Sequence, residues 1–118
     1  MSDAYDLFRE GQERLRNGMT AQATVPLEKA KRLEPEKASI REALGIAYFR
    51  LARWKDAERE FRTIVEELSP TDHYAHYALG RALERQGRTS EANGHYKLAS
   101  SMEPSSETYS SRILQLDE

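Results

Sequence analysis

The stretch ALGIAYFRLARWKDAEREF, residues 43–61, decides the fold. Its apolar side chains return at intervals of three and four residues, which is the period of an amphipathic α-helix. Gly45 nevertheless lies near the start of this pattern, where a glycine costs about 1 kcal/mol relative to alanine. We expect the missing side chain to let the backbone of a partner helix approach closely, so that tighter packing offsets the cost.

The helical pattern extends over nearly the whole chain. Good helix formers (leucine, alanine, glutamate, arginine and lysine) dominate, and strand-like alternation is scarce. Helix breakers divide the chain into segments of about 14 residues, an ordinary helix length. These breakers are Asn17-Gly18, Pro35, Ser69-Pro70, Gly87 and Pro104. The sequence therefore predicts an all-α fold of short helices.

Three residue types recur with one common period. Glycines, alanines and prolines each return at spacings of 34 and 35 residues, and a large apolar residue follows each alanine by four. The sets are Gly11, Gly45 and Gly80; Ala23, Ala57 and Ala92; Pro35, Pro70 and Pro104; and Leu27, Phe61 and Tyr96. A period shared by independent residue types indicates an internal repeat.

The repeat resembles the tetratricopeptide repeat, a helix-turn-helix unit of 34 residues. The middle unit matches the family pattern best, through Leu44-Gly45, Tyr48, Ala57, Phe61 and Pro70. The tryptophan that opens the family pattern is absent, and Leu7, Arg41 and His76 take its place. The resemblance implies an α-solenoid of three repeats with a C-terminal capping helix, about seven helices in all.

The repeat boundaries follow from the breakers. We expect repeats at about 4–37, 38–72 and 73–106, and a capping helix at about 106–117, within a single domain of residues 1–118. Tyr109, Ile113 and Leu116 return at helical spacing in the last segment, and such a helix would cover the apolar end of the stack. Gly18 and Gly87 are expected to end first helices in a left-handed cap, whereas Ala52 predicts a somewhat different turn in the middle unit.

Composition narrows the function classes. The 118 residues are 38% hydrophobic and 32% charged, with a net charge of -2, so the basic excess of a nucleic-acid binder is missing. No stretch approaches the ~20 apolar residues of a membrane span, and the first residues resemble neither a signal peptide nor a transit peptide. The chain has no cysteine, which fits a cytoplasmic location. We expect no nucleic-acid or membrane partner.

No pattern of catalytic or metal-binding residues stands out. His73 and His76 are three residues apart, a spacing that two metal ligands can use, but zinc sites need three or four protein ligands. His76 also occupies the family's tryptophan place, so we expect it to pack. The C-terminal serines lack a nucleophile motif, and the glycines form no phosphate-binding loop. We expect no enzymatic activity, metal or cofactor.

In the resembling family, the first helices of successive units line a concave groove that binds peptides or helices of partner proteins. The register here assigns aromatic, arginine and other residues to that groove, and tyrosine and arginine are typical of binding hot spots. The groove residues are Tyr5, Phe8, Gln12, Ile46, Phe49, Arg50, Tyr74, Tyr77, Arg81 and Arg85; Leu15, Ser39 and Glu42 share the register. The leading hypothesis is a monomeric adaptor that binds a peptide or helix of a partner protein.

Two alternatives remain open, and one family function is not expected. The chain could instead be a homo-oligomerising structural module that pairs through Tyr5 and Phe8, or a small three-repeat chaperone for a secreted partner. Some family members bind acidic C-termini of heat-shock chaperones through a clamp of lysine, asparagine and arginine. The matching places here hold Phe8, Gln12, Ala43, Tyr74 and Ala78. Because none is a cation, we expect no binding of such a tail.

Overall fold

The computed structural model describes residues 3–116. This part of the chain contains seven α-helices and no strand, which confirms the predicted all-α class. The helices are α1 Ala4–Arg16, α2 Thr20–Leu33, α3 Ala38–Arg50, α4 Trp54–Thr63, α5 His73–Glu84, α6 Thr89–Met102 and α7 Glu107–Leu116. A π-helical turn, Ile64–Leu68, continues α4. Asp117, the predicted end of the capping helix, and the Leu116 side chain lie outside the described part of the chain.

The helices pack in the order of the sequence. The pairs α1–α2, α3–α4 and α5–α6 lie within the three predicted repeat units, and α2, α4 and α6 also contact the helix that follows each of them. Because these contacts join neighbouring units, the described residues form an elongated stack of 51 × 24 × 22 Å. This is the solenoid architecture that the repeat predicts.

Each first helix packs its glycine against one large side chain of the second helix. A Cβ atom on Gly45 would lie 2.6 Å from the Phe61 ring. The same atom on Gly11 would lie 2.4 Å from Leu27, and on Gly80 2.5 Å from Tyr96. The prediction that the second helix approaches each glycine closely is therefore right. The prediction that its backbone makes the approach is wrong. The glycines accommodate a buried side chain, and the atoms closest to them are not backbone.

The turns within the three units have one geometry. Gly18 and Gly87 adopt the predicted left-handed conformation, with φ of 77° and 80°, and Ala52 adopts it too, with φ of 59°. In each turn the next residue donates its backbone N–H to a carbonyl five residues earlier, as Arg53 does to Tyr48 at 2.8 Å. This is the Schellman hydrogen bond that ends a helix. The expectation of a different turn at Ala52 is wrong, because the helix end imposes its conformation on alanine.

The glycine contact makes a first prediction. Gly45→Ala should lower the free energy of unfolding by about 1 to 3 kcal/mol, because the new methyl group overlaps the Phe61 ring. Gly94→Ala is the matched control, since Gly94 is also helical and its Cβ would meet no described atom within 4 Å. The free energy of unfolding of the control should rise by about 0.5 to 1 kcal/mol, because alanine makes the unfolded chain less flexible than glycine does. Urea unfolding of both variants measures this, and two changes of the same sign would contradict the explanation.

The strained alanine makes a second prediction. Ala52→Gly should raise the unfolding free energy by up to about 1 kcal/mol, because glycine adopts a positive φ without the steric penalty of a Cβ atom. Gly87→Ala, the reverse change at the equivalent turn of the third unit, should lower it by a similar amount. Thermal unfolding followed by circular dichroism compares the two. A lower melting temperature for Ala52→Gly would show that the left-handed alanine is not strained.

Candidate functional site

An open recess lies between the first helices of the second and third units. It has a volume of about 200 Å³, and apolar side chains form most of its wall. Its lining residues are Ile46, Phe49, Arg50, Phe61, Tyr74, Tyr77, Ala78 and Arg81. Six of these belong to the predicted groove, and they come from α3 and α5. Phe61 was not predicted, because it belongs to a second helix; its ring reaches the recess beside the side-chain-free Gly45.

Ring contacts hold the aromatic wall in place. Tyr74 meets Phe61 edge-on, with ring centroids 6.4 Å apart, and Tyr77 packs 5.1 Å from Tyr109 of the capping helix. Phe49 meets Trp54 edge-on at 4.8 Å. Such aromatic pairs each contribute about 0.5 to 1.5 kcal/mol beyond the burial of area. The rings that border the recess are therefore ordered by the protein before any ligand binds.

Arginines border the apolar wall. Arg81 donates a hydrogen bond to the Tyr77 hydroxyl at 3.2 Å, and its guanidinium lies over the Phe49 ring, 5.3 Å from the centroid. Arg50 is exposed and has no carboxylate within 4 Å among residues 3–116. Arg85 does not line the recess; its guanidinium lies over Trp54 at 4.8 Å. The recess thus presents aromatic surface between cationic groups.

Two further recesses extend this surface toward the N-terminus. One is lined by Phe8, Gln12, Leu15, Ile46 and Arg50, among others, and so shares Ile46 and Arg50 with the first recess. The next includes Tyr5, Phe8 and Ser39 and shares the last two with its neighbour. We call these three adjoining recesses the first-helix groove. Nine of the ten predicted groove residues line it. The tenth, Arg85, lies outside the three recesses, over the Trp54 ring.

Acidic groups lie on the same surface. Glu42 lines the middle recess, and burial raises the pKa of its carboxyl group, with a further contribution from the charge of Asp72. Burial also raises the pKa of Tyr74, and the Glu42 charge adds to that shift. The first-helix groove is therefore mixed in charge. Arg50 is exposed and Arg81 is half-buried, whereas the Glu42 carboxylate is partly desolvated.

Arg41 and His76, the two polar residues at positions where the family pattern has tryptophan, both make hydrogen bonds. Arg41 donates to Glu60 at 3.1 Å, and Lys31 donates to the other oxygen of the same carboxylate at 2.8 Å. Glu60 is only 3% exposed, so this triad ties α2, α3 and α4 together in a buried position. His76 approaches the Pro70 carbonyl at 2.8 Å and His95 at 3.1 Å. These side chains hold the units together.

The histidines are engaged in packing contacts. Since the Pro70 carbonyl can only accept, His76 Nε2 carries the proton, its Nδ1 accepts, and His95 Nδ1 donates. Burial lowers the pKa of His95, and the nearby His76 lowers it further. His73 Nδ1 lies 2.8 Å from the Tyr109 hydroxyl, which links α5 to α7. The described residues contain no group of three or more His, Cys, Asp or Glu arranged to hold a metal ion.

The family model for the tetratricopeptide repeat matches residues 42–103, more than half of the chain. The chain belongs to the tetratricopeptide repeat family. Its fold is that of a protein–protein interaction module, and members of the family are typically non-enzymatic scaffolds. No helix in the described range is both long and apolar enough to cross a membrane.

Similar proteins include one curated relative and several solved structures. Superkiller complex protein 3 of Mus musculus is 31% identical over 91 residues, which cover 77% of this chain and only 6% of that protein. The first tetratricopeptide repeat domain of Spaghetti (RPAP3), bound to the HSP90 peptide SRMEEVD, superposes with a TM-score of 0.92 at 21% identity, covering 98% of this chain and 90% of that one. The OM64 domain from Arabidopsis gives 0.90 at 18% identity, covering 96% and 93%. At these identities the structures show the fold alone.

The buried carboxylate yields a third prediction. Glu60→Ala should lower the free energy of unfolding of this tetratricopeptide repeat protein by about 2 kcal/mol, because it leaves Lys31 and Arg41 without their shared partner. Glu66→Ala is the control, since Glu66 is exposed and pairs only with Arg62 at the surface. The control should change stability by less than about 0.5 kcal/mol. Denaturant unfolding measures both, and equal effects would mean that Glu60 does not tie the units together.

Proposed function

We propose that this chain is a monomeric, non-enzymatic adaptor that binds an extended segment of another protein along the first-helix groove. The recess between α3 and α5 carries the proposal. It is open to solvent, it is walled by Phe49, Tyr74 and Tyr77, and arginines border it. Concave, mostly apolar sites with a few convergent polar groups are the usual form of a binding site.

The ordered rings favour binding energetically. A tyrosine or phenylalanine has two side-chain torsions to fix, and here the ring contacts already restrict them. A ligand side chain that enters the recess therefore buries apolar area without a large further loss of entropy. Tyrosine and arginine also dominate measured binding hot spots. These features support binding at about micromolar strength, as is common for short segments.

Charge narrows the class of ligand. Arg50 and Arg81 border the apolar recess, while Glu42 is partly buried in the adjoining recess that it shares with Arg50. An acidic residue in the ligand is therefore better tolerated than a basic one. We propose a segment of mixed apolar and acidic character, and neither nucleic acid nor membrane as the partner. A cytoplasmic location, consistent with a chain that lacks cysteine, is part of this proposal.

The proposed ligand differs from an acidic chaperone tail. The Spaghetti (RPAP3) domain holds an HSP90 peptide. Family members that bind acidic chaperone tails use two lysines, two asparagines and an arginine, and the five matching places here hold Phe8, Gln12, Ala43, Tyr74 and Ala78, none of them a cation. A terminal carboxylate at those places would lose its charged partners. The proposed contacts run instead from apolar side chains to the rings, with acidic side chains at the borders of the groove.

Self-association is a second candidate, favoured by one observation. Tyr5 is 64% exposed and lies beside Phe8 in the N-terminal recess, where a second copy could cover it. Light scattering over a range of concentrations distinguishes the two candidates. A constant monomer mass supports the adaptor, and a mass that doubles with concentration supports the self-associating module.

The fourth prediction tests the groove. A random peptide library displayed on phage and panned against the chain should select peptides that combine apolar and acidic residues. The double variant Tyr74→Ala with Ile46→Ala should weaken a selected peptide at least about tenfold, because both side chains line the recess. The matched control, Val25→Ala with Leu98→Ala, removes two exposed apolar side chains from second helices. Fluorescence anisotropy gives the affinities, and circular dichroism checks that both variants fold.

Two results would contradict the proposal. If the selected peptides bind the groove variant and the control with unchanged affinity, the binding surface lies outside the first-helix groove. If the control loses binding while the groove variant keeps it, the surface lies on the second helices.

A further inference from the structure

A hydrogen-bonded pair of side chains in the second repeat unit has an exact counterpart in the third. Arg41 Nε donates to the Pro35 carbonyl at 3.0 Å, and its Nη1 donates to Glu60 at 3.1 Å. His76 and His95 lie 35 residues after Arg41 and Glu60. In the second unit, the first-helix side chain of the pair thus joins the preceding proline turn to the second helix of its own unit.

The two histidines make the same two contacts in the third unit. His76 Nε2 lies 2.8 Å from the Pro70 carbonyl, and His76 Nδ1 lies 3.1 Å from His95 Nδ1. Pro70 is the counterpart of Pro35, 35 residues later. The two imidazole rings stack with centroids 5.3 Å apart, and His76 is only 6% exposed. We call His76 and His95 the histidine latch.

The three units use different chemistry at these two places. Leu7 and Pro26, both buried, occupy them in the first unit, 34 residues before Arg41 and Glu60. In the second unit the arginine keeps its charge at any pH that a protein meets, and glutamates ordinarily titrate near pH ~4.3. Imidazoles ordinarily titrate near pH ~6.5. Among the three equivalent pairs, the histidine latch is therefore the one made of groups that titrate near neutral pH.

Hydrogen bonding limits the charge that the closed histidine latch can hold. Because the Pro70 carbonyl accepts, His76 Nε2 keeps its proton, and only one of the two facing Nδ1 atoms can carry another. A proton on His95 Nε2 brings the pair to three protons and a single positive charge. A fourth proton would set two N–H groups of cationic rings against each other, with their nitrogens 3.1 Å apart. A second charge therefore requires the contact to open.

The surroundings of His95 also oppose that second charge. Burial lowers the pKa of His95, and the nearby His76 and Arg62 lower it further. Glu91 of α6 and Glu66 of the π-helical turn act in the opposite direction. Both carboxylates are bound to Arg62 of α4, at 2.6 and 3.2 Å, so that this guanidinium offsets much of their charge.

We propose that the histidine latch is an acid-sensitive switch that releases α6 from α5 below about pH 6 and thereby weakens ligand binding. The unfolded chain takes up two charges on these rings in acid, whereas the closed latch holds one. Stability is therefore complete above the ordinary imidazole pKa of about 6.5 and is lost as the pH falls below it. One excess proton in the open form shifts the equilibrium about tenfold per pH unit.

The packing of α6 connects the histidine latch to the recess between α3 and α5. Tyr96 of α6 fills the space beside Gly80 of α5, and its ring packs 5.9 Å from that of Tyr77. Tyr77 and Tyr74 are the α5 rings that line the recess. When α6 leaves α5, this support of the aromatic wall is lost. The effect on binding, unlike the switch itself, rests on the proposed function.

The fifth prediction gives the third unit the pair of the second. In the double variant His76→Arg with His95→Glu, the contact no longer titrates near pH ~6. Between about pH 7 and pH 5, urea unfolding should show the folding equilibrium constant of the wild type falling at least about tenfold more than that of the variant. Hydrogen exchange, corrected for the intrinsic effect of pH, should locate the opening of the wild type in Thr89–Met102.

His73→Gln is the matched control for the switch. His73 lies on the same helix but contacts the Tyr109 hydroxyl, so this variant should keep the pH dependence of the wild type. Parallel losses of stability in the wild type and the double variant would overturn the proposal. So would imidazole NMR spectra of the wild type in which both latch rings become charged while α6 stays protected. These spectra need no variant and therefore decide the point even if the double variant does not fold.

Binding of a library-selected peptide separates the switch from the proposed function. From about pH 7 to pH 5, its affinity for the wild type should fall at least about threefold, as the closed fraction of the third unit falls. The double variant retains Glu42 and the rest of the groove and should keep its affinity. Equal losses would show that the histidine latch does not control the groove. If unfolding and exchange follow the prediction but the library yields no binding peptide, the proposed function fails and the acid-sensitive switch stands.

Discussion

The contact between each glycine and the large residue sixteen positions later is the constraint on which the rest of the structure depends. Phe61 is buried against Gly45, Leu27 against Gly11 and Tyr96 against Gly80. Because no Cβ atom intervenes, the two helices of a unit approach until one large side chain fills the gap, at the density of a protein interior. The same contact shapes the recess between α3 and α5. Phe61 passes beside Gly45, meets Tyr74 edge-on and forms part of the recess wall.

Polar side chains supply what the missing tryptophans would have contributed to packing. Arg41 reaches Glu60, which Lys31 also contacts, and His76 reaches the Pro70 carbonyl. A buried polar group costs free energy unless its hydrogen bonds are made, and here they are made across elements. Burial alone would allow neighbouring units to slide. Directional contacts define their register and thus the spacing of the first helices that form the groove.

The sequence predicted which helix faces form the groove, because period and register determine them. It did not predict contacts that depend on the conformation of a neighbouring helix or turn. Ile46, Phe49 and Tyr74 were assigned to one surface, because helical register determines which face a residue occupies. The Phe61 ring was missed, since nothing local indicates that a second-helix side chain extends past a glycine. Ala52 was misread because intrinsic preference disfavours a left-handed alanine, whereas the Schellman hydrogen bonds of the turn impose it. Arg16 lines the middle recess and was missed, although its spacing of 34 residues to Arg50 was present in the sequence.

A residue type that recurs at core positions of a repeat protein is explained by packing, whereas one that recurs at exposed positions needs another explanation. The glycines and their partners must recur, because every unit of a stack meets the same packing problem. A solvent-exposed position faces no such demand, and other groove positions vary freely from unit to unit: Phe8, Glu42 and Tyr77 are equivalent places with three different chemistries. Arginine returns at the ends of all three first helices, but α2 and α4 also carry a basic residue in the last turn, as the helix dipole favours. Under the proposed function, the places that vary are therefore the ones able to distinguish one ligand side chain from another. A substitution at such a place would change the preferred segment without changing the contacts that hold the stack together.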